Sequence, residues 1–489
     1  MTGAPVAVVD IGSNSVRLVV YEGLTRAPAT IHNEKSICAI GRDMVTTGRL
    51  HVQGMTMALE ALARFRILAD GLGAAIREAV ATAAARDAQN GQEFIAKAEA
   101  AWGSPIRILA GEEEARLAAE GVLAGIPEAD GLAADLGGGS LDMVSVKSGR
   151  MGEAHTLPFG PLRLLDLAKG NASKARDIVD EGLEKISGLR GLEKRGLYAV
   201  GGIWRSVARV DMDQHGYPLH VLQHYEIPRS RALRLCDVLS VQSRKSLDMM
   251  RSVSKRRAEL LPYGAIVLER LLLATKADRI VVSAYGLREG LLHARLPQDE
   301  RDKDPLIDFA AGTNKRMSRT PRHAEEMIAW LGPVFPDETA EMRRIRAAIC
   351  LFSDMGWRLH PDDRAIGTYN LVLHAPFAGT DHRARALIAA ATFHRYSGDE
   401  EIPRSLVVED LLDRHDEQTA LRLGLAARLA FAVSASAEGE LGHTRLRLTP
   451  TKLLLEVPRR REMIAGEPVA KRLGALAASL DRKGEILIG

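Results

Sequence analysis

Residues 10–19 read DIGSNSVRLV and residues 135–144 read DLGGGSLDMV, and one template fits both: Asp, apolar, Gly, any two, Ser, apolar, any, apolar, Val. In each copy an apolar run precedes the Asp (Val6 to Val9, Leu132 to Ala134) and a β-type run follows the turn (Val16 to Tyr21, Met143 to Val146). This pattern predicts a strand, a Gly-rich tip and a returning strand, a hairpin whose tip is made of backbone amides. Glycine there admits positive φ and close backbone approach, so several N–H groups can converge on one anion. The adjacent Asp offers the hard oxygen that a divalent cation takes. One Asp-Gly turn is an ordinary hairpin. Two copies predict two related lobes closing on one phosphate-handling site.

A chain of 489 residues exceeds a single core, and about three domains is the expectation. No uninterrupted apolar run is long enough to cross a bilayer, so no membrane role is expected. The start, Met1 to Pro5, has no basic and apolar leader, which makes the cytoplasm the expected location. Cys38, Cys236 and Cys350 are widely spaced and lack a CxxC pair, which indicates neither a disulfide framework nor a zinc site. A net charge of +3 argues against general polyanion or nucleic-acid binding, so any polyanion track must be local. Basic clusters that could supply one are Lys255, Arg256 and Arg257; Arg343, Arg344 and Arg346; and Arg459, Arg460 and Arg461. Such runs are also commonly solvated helix faces.

After the first hairpin the periodicity predicts a helix near 54–72, a strand near 75–82, a helix near 92–102, a short strand at 105–109 and a helix opening on the Glu run 112–114. The second hairpin is followed by helices near 172–189, strands at 197–200 and 280–283, and a helix at 287–294. This is α/β alternation. The stretch from Pro297 to Arg322, crowded with charge, Pro, Gly, Asn and Ser, reads as a linker. Beyond it the chain is mostly helical by periodicity, with weak strand signals at 444–448 and 453–457. The expected domains are residues 1–125, 126–300 and 301–489.

The two hairpins, taken with ATAAARDAQNG (81–91), AGEEEARL (110–117) and SAYGLREG (283–290), resemble the exopolyphosphatase/guanosine pentaphosphate phosphatase family. The resemblance implies an α/β fold of two actin-like, sugar-kinase-like lobes with ribonuclease-H-like topology around a cleft, plus a mostly helical domain similar to HD-type phosphohydrolases. It implies water attack on a terminal phosphate. The chemistry such a reaction needs is charge neutralisation, an oriented water and little covalent work from the protein. Gly12, Ser13, Asn14 and Ser15, with Gly137, Gly138, Gly139 and Ser140, would cradle the phosphoryl oxygens. Arg86 corresponds to the family's phosphate-contacting arginine. Glu114, directly before Ala-Arg-Leu, carries over as the base that takes water's proton; acidic residues in a first helical turn otherwise complement the dipole, which suffices for Glu112 and Glu113. Asp135 would hold Mg²⁺ with Asp10 as its symmetric partner, and Asp142 and Glu114 add carboxylates for a second ion on count alone. A monovalent cation such as K⁺ is also compatible with the family, as is a homodimer.

Two departures from the family pattern stand out. After the strand at 197–200 the chain has Gly201, Gly202, Ile203, Trp204 and Arg205 where relatives have a turn rich in Gly, Ser and Thr; Ile203 and Trp204 would fill space that a nucleobase needs, unless the indole is core. In LFSDMG (351–356) Ser353 replaces the metal-binding His of an HD pair, which disfavours catalysis there. His360, His374 and His394 remain as lone histidines. The expected substrate is inorganic polyphosphate, with guanosine pentaphosphate as the alternative and guanosine tetraphosphate as a possible inhibitor. A sugar- or acetate-kinase-like enzyme and a non-catalytic nucleotide- or alarmone-binding regulator are the readings from other classes.

Overall fold

The computed structural model describes residues 3–403 and 410–489, with the side chains of Arg190 and Arg256 outside that description. The chain divides into two compact units, residues 1–303 and 304–489.

Among the described residues of the first unit there are two mixed sheets. The first comprises β1 (Val6–Ile11), β2 (Ser15–Tyr21), β3 (Thr30–Ile37), β4 (Ile76–Ala81) and β5 (Arg107–Ile108) in the order β3-β2-β1-β4-β5. The second comprises β6 (Asp130–Leu136), β7 (Leu141–Lys147), β8 (Arg150–Leu157), β9 (Gly196–Val200), β10 (Tyr225–Pro228) and β11 (Arg279–Val282) in the order β10-β11-β9-β6-β7-β8. In each sheet three antiparallel strands lead, through the first of them, into parallel strands reached by helical crossovers. β6 to β9 repeat the plan of β1 to β4, the duplicated ribonuclease-H-like topology of actin-like and sugar-kinase-like proteins.

The central strands are apolar almost throughout, as burial on both faces requires: Val6 to Val9 are fully buried, and so is the whole of Gly196–Val200. The edges are polar. β3, reading TIHNEKSI, and β8, reading RMGEAHTL, carry no clean apolar alternation because an edge needs little burial and is protected by charge.

The helix Gly111–Gly125, which begins on the Glu run, packs against β6, β7 and β8 and against the helix Leu287–Arg295. Glycines set that helix spacing. A Cβ on Gly121 would fall 2.1 Å from the carbonyl oxygen of Gly286, and one on Gly290 would fall 1.8 Å from that of Leu117. These are backbone obstacles, so the two helices hold their close approach only with glycine at both positions.

The stretch expected as a linker does contain the boundary between the two units, but it is largely helical, forming Gln298–Arg301 and Pro305–Met317. The local signal was a cap: Asp304 Oδ1 accepts from the N–H groups of Leu306 (2.8 Å) and Ile307 (3.1 Å), with Pro305 at the first helical position. The expected helix at 172–189 is likewise shorter, Ala172–Leu183, preceded by Pro161–Ala168.

The second unit is a helical bundle whose helix His382–Ser397 is buried on nearly every side. A small sheet follows, in which β12 (Arg445–Leu448) pairs antiparallel with β13 (Lys452–Val457) and β13 pairs parallel with β14 (Lys483–Ile488), the helix Glu467–Ser479 making the crossover.

Candidate active site

The two hairpins are geometric equivalents. Gly12 N–H donates to Ser15 O at 3.0 Å, and Gly137 N–H donates to Ser140 O at 3.0 Å. Asp10 lies across from Arg17 in the first ladder, and Asp135 across from Asp142 in the second. The tips face one another: a Cβ on Gly138 would sit 3.2 Å from Ser13 Cβ, and one on Gly139 would sit 3.1 Å from Ser13 Oγ. None of Gly12, Gly137, Gly138 and Gly139 has φ in the left-handed region, so the expected need for positive φ is corrected. Close approach of the two tips is the reason for glycine at 138 and 139.

Between the tips lies a cleft of about 330 Å³, lined by Gly12 to Ser15, Gly137 to Ser140, Asp10, Asp135 and Glu114. Of its basic wall, sequence reasoning named only Arg257 as a polyanion contact. Arg17, Lys35, Arg205, Arg209, Arg257 and Arg288 all line the same cavity. Arg17 follows from β2 periodicity, two residues on from Ser15, and Arg205 and Arg288 sat unused inside the quoted GGIWR and SAYGLREG stretches. Arg288 Nη1 reaches Asp10 Oδ2 at 3.3 Å. Six basic groups against three carboxylates leave the cleft cationic, which favours a polyanion.

Enclosure raises the carboxyl groups here. It pushes Asp135 up to about 6 against the opposing pull of Arg205, and it raises Asp10 against the pull of Arg288. Enclosure by the cleft walls, together with Arg257, Arg17 and Arg205, pushes Lys35 down to about 8 although its side chain still meets solvent.

Glu114 sits in the first turn of its helix and is 9% exposed. Its Oε2 accepts from Arg86 Nη1 at 3.2 Å, and Arg86 Nη1 also donates to Leu109 O at 3.1 Å. Burial first, and the Asp142 carboxylate second, raise Glu114 well above the usual range, with Arg86 opposing. Glu112 is exposed and Glu113 pairs with Arg107, so neither is placed as Glu114 is. Arg86 and Asp142 lie behind the cleft surface: Asp142 Oδ2 accepts from Ser140 Oγ at 2.8 Å, and burial raises its carboxyl. Among the described residues no three His, Cys, Asp or Glu side chains gather as a ready metal cage. The donor set still fits Mg²⁺, which commonly takes one or two carboxylates and completes its shell with water and substrate phosphates.

Trp204 is core, donating from Nε1 to Gly264 O at 2.9 Å, whereas Ile203 does line the cleft. Of the basic clusters, Arg257 reaches the cleft, Lys255 lines a neighbouring groove, and the Arg256 side chain lies outside the described residues. Four of the other arginines are engaged by carboxylates of the second unit. Arg346, expected on an open surface, is buried, pairing with Glu338 and donating to Ile328 O because its guanidinium closes a bundle interior. Arg344 is held by Asp304 and Glu341, Arg343 by Glu338, and Arg461 by Glu440. Arg459 and Arg460 are exposed. Ser353 Oγ donates to Ile349 O at 2.6 Å and Asp354 is paired with Arg319, so neither is poised as a metal ligand.

Residues 6–299 match the Ppx/GppA phosphatase family, and residues 308–487 match the family described as exopolyphosphatase, C-terminal. The chain belongs to the Ppx/GppA phosphatase family. Membership makes it a phosphohydrolase. It is similar to Retrograde regulation protein 2 of Saccharomyces cerevisiae, 26% identical over 85% of this chain and 76% of the relative. It is also similar to Exopolyphosphatase 2 of Mycobacterium tuberculosis, 27% identical over 58% of this chain and 97% of the relative. Among solved structures, the Aquifex aeolicus Ppx/GppA family member aligns with TM-score 0.51 at 27% identity, covering 59% of this chain and 96% of that one. An exopolyphosphatase from Cytophaga hutchinsonii shares the fold, with TM-score 0.55 at 23% identity over 59% of this chain and 97% of its own. Among the described residues no helix is long and apolar enough to cross a membrane.

Proposed function

We propose that this family member is an exopolyphosphatase, releasing terminal orthophosphate from inorganic polyphosphate. The observation that carries the reading is the continuation of the cationic cleft. A groove of about 570 Å³ adjoins it, shares Asn14, Lys35 and Leu260 with it, and adds Arg42, Arg244 and Lys255. A chain of phosphates can seat its end between the hairpin tips and lay its next groups along that groove. Guanosine pentaphosphate would instead need a pocket for its base, and the apolar Ile203 takes up part of the cleft wall after β9.

In the proposed reaction the tip amides of both hairpins hold the terminal phosphoryl oxygens, and Arg17, Arg205 and Arg288 offset their charge. Glu114, kept in place by Arg86, accepts the proton of the attacking water at its carboxylate. Asp135 and Asp10 would hold one Mg²⁺, which when bound adds charge neutralisation on the phosphoryl group. Asp142, engaged by Ser140 behind the cleft, orients that loop and is not needed for a second ion.

The yeast relative is named for regulation, and a phosphohydrolase can serve regulation through its turnover, which is what the test reads. Charge reversal at Arg42 and Lys255 should raise KM for long polyphosphate severalfold while leaving tripolyphosphate hydrolysis near its starting value. Equal effects on both substrates would remove the groove from the account.

A further inference from the structure

The C-terminal unit has a cavity of its own, about 430 Å³, lined by Arg319, Arg364, Arg395, Arg428 and Arg472 among others. Most of these guanidinium groups have protein acceptors. Asp354 accepts from Arg319 Nη2 at 2.6 Å and from the Arg319 N–H at 2.9 Å. Arg364 donates to the carbonyls of Leu359 and Trp357 at 3.1 and 3.0 Å, Arg428 to those of Arg395 and Tyr396, and Arg472 to that of Pro468.

Arg395 differs. It lies on the buried helix His382–Ser397, is 8% exposed, and its Nε has no hydrogen-bond partner among the described residues. Its guanidinium sits over the Phe431 ring at 3.6 Å and the Tyr396 ring at 4.3 Å. Enclosure lowers it to about 10. Among the described residues the carboxylates acting on the cluster are Asp354, already engaged by Arg319, and Asp399 and Glu400, which act on Arg428. Burying a cation is costly unless an anion meets it, and among the described residues the carboxylate that acts on Arg395 itself, Asp354, is already engaged by Arg319.

The aromatic rings help to choose the class of anion. Arg395 occupies faces of Phe431 and Tyr396, and Arg358 covers Trp357 at 4.8 Å. Rings used in this way hold cations in place and leave little free face for a stacked base. Planar guanidinium forks match phosphoryl oxygens two at a time. We propose that this cavity is a second binding site, for an oligophosphate: a run of phosphoryl groups, free or at the end of a nucleotide.

The test uses the full-length chain carrying Glu114→Gln, so that the probe is not turned over. Trp357 is the half-buried tryptophan at the cavity, while Trp102, Trp204 and Trp330 are buried, so acrylamide quenching of tryptophan fluorescence reports on this site. Inorganic tripolyphosphate should protect the fluorescence saturably, and Trp357→Phe should abolish the effect. Arg364→Glu and Arg472→Glu, both at the cavity wall, should each weaken the probe on the order of tenfold or more. ATP in a parallel arm separates the sources: equal affinity means the phosphates alone are read, and affinity more than tenfold tighter identifies a nucleotide. Unchanged quenching with tripolyphosphate, or unchanged affinity in both folded charge-reversal variants, overturns the proposal.

Discussion

Replacing Glu114 by Gln isolates proton transfer from everything else the side chain does. The amide has the same size and keeps an oxygen that can accept from Arg86, which is also anchored to Leu109 O, so the local scaffold stays in place. It cannot take a proton from water. Removal of a general base costs on the order of 10² to 10⁴ in rate, about 3 to 5 kcal/mol of barrier, and here the loss should appear in kcat with KM for polyphosphate little changed.

Stability should move the other way. Burial and Asp142 raise the Glu114 carboxyl above its ordinary 4.5. Between pH 4.5 and the folded value, the native protein therefore holds a proton that the unfolded chain has released. Stability from this group is present at the acid side and falls as pH rises through that window. Glu114→Gln should thus match the parent in Tm near pH 4 and exceed it at pH 8 in thermal melts without Mg²⁺. Orthophosphate release by Glu112→Gln and Glu113→Gln provides the comparison, since both should stay active. An active Glu114→Gln beside a dead Glu112→Gln or Glu113→Gln refutes the assignment.

Gly121→Ala would push a Cβ to 2.1 Å from the Gly286 carbonyl and separate the helices bearing Glu114 and Arg288. About 1 to 3 kcal/mol of destabilisation in a denaturant titration is expected, with reduced turnover; Gly71→Ala, which meets nothing within 4 Å, is the control that should not destabilise. Lys35, held down to about 8 in the open cleft, should regain its proton when polyphosphate binds. Calorimetric titrations at pH 8.5 in buffers of different ionisation enthalpy should then show net proton uptake that Lys35→Met reduces.

The duplicated hairpin was legible because close approach and anion binding both demand the same few residue types at fixed positions. Central strands were legible because burial on both faces leaves only apolar residues. β3, β8 and β10 were not, because edge strands such as TIHNEKSI satisfy their backbones without an apolar face. The helix at Pro305 was hidden by polar composition, although its Asp-Pro cap was in plain view. At the site, the carboxylates stood out through their motifs. The basic wall did not, because Arg17, Lys35, Arg205 and Arg288 are far apart in sequence and only the folded sheets bring them to one cavity. Arg346 failed in the opposite sense, since a cluster of arginines in sequence says nothing about which of them a bundle will bury.

The central claim is tested most directly by orthophosphate release from long-chain polyphosphate, guanosine pentaphosphate and ATP in parallel, with Mg²⁺ and with EDTA. The account expects rapid release from polyphosphate, slower release from guanosine pentaphosphate, little from ATP, and loss of all three in EDTA. No release from polyphosphate by a folded protein in Mg²⁺, or release that EDTA leaves untouched, would contradict it.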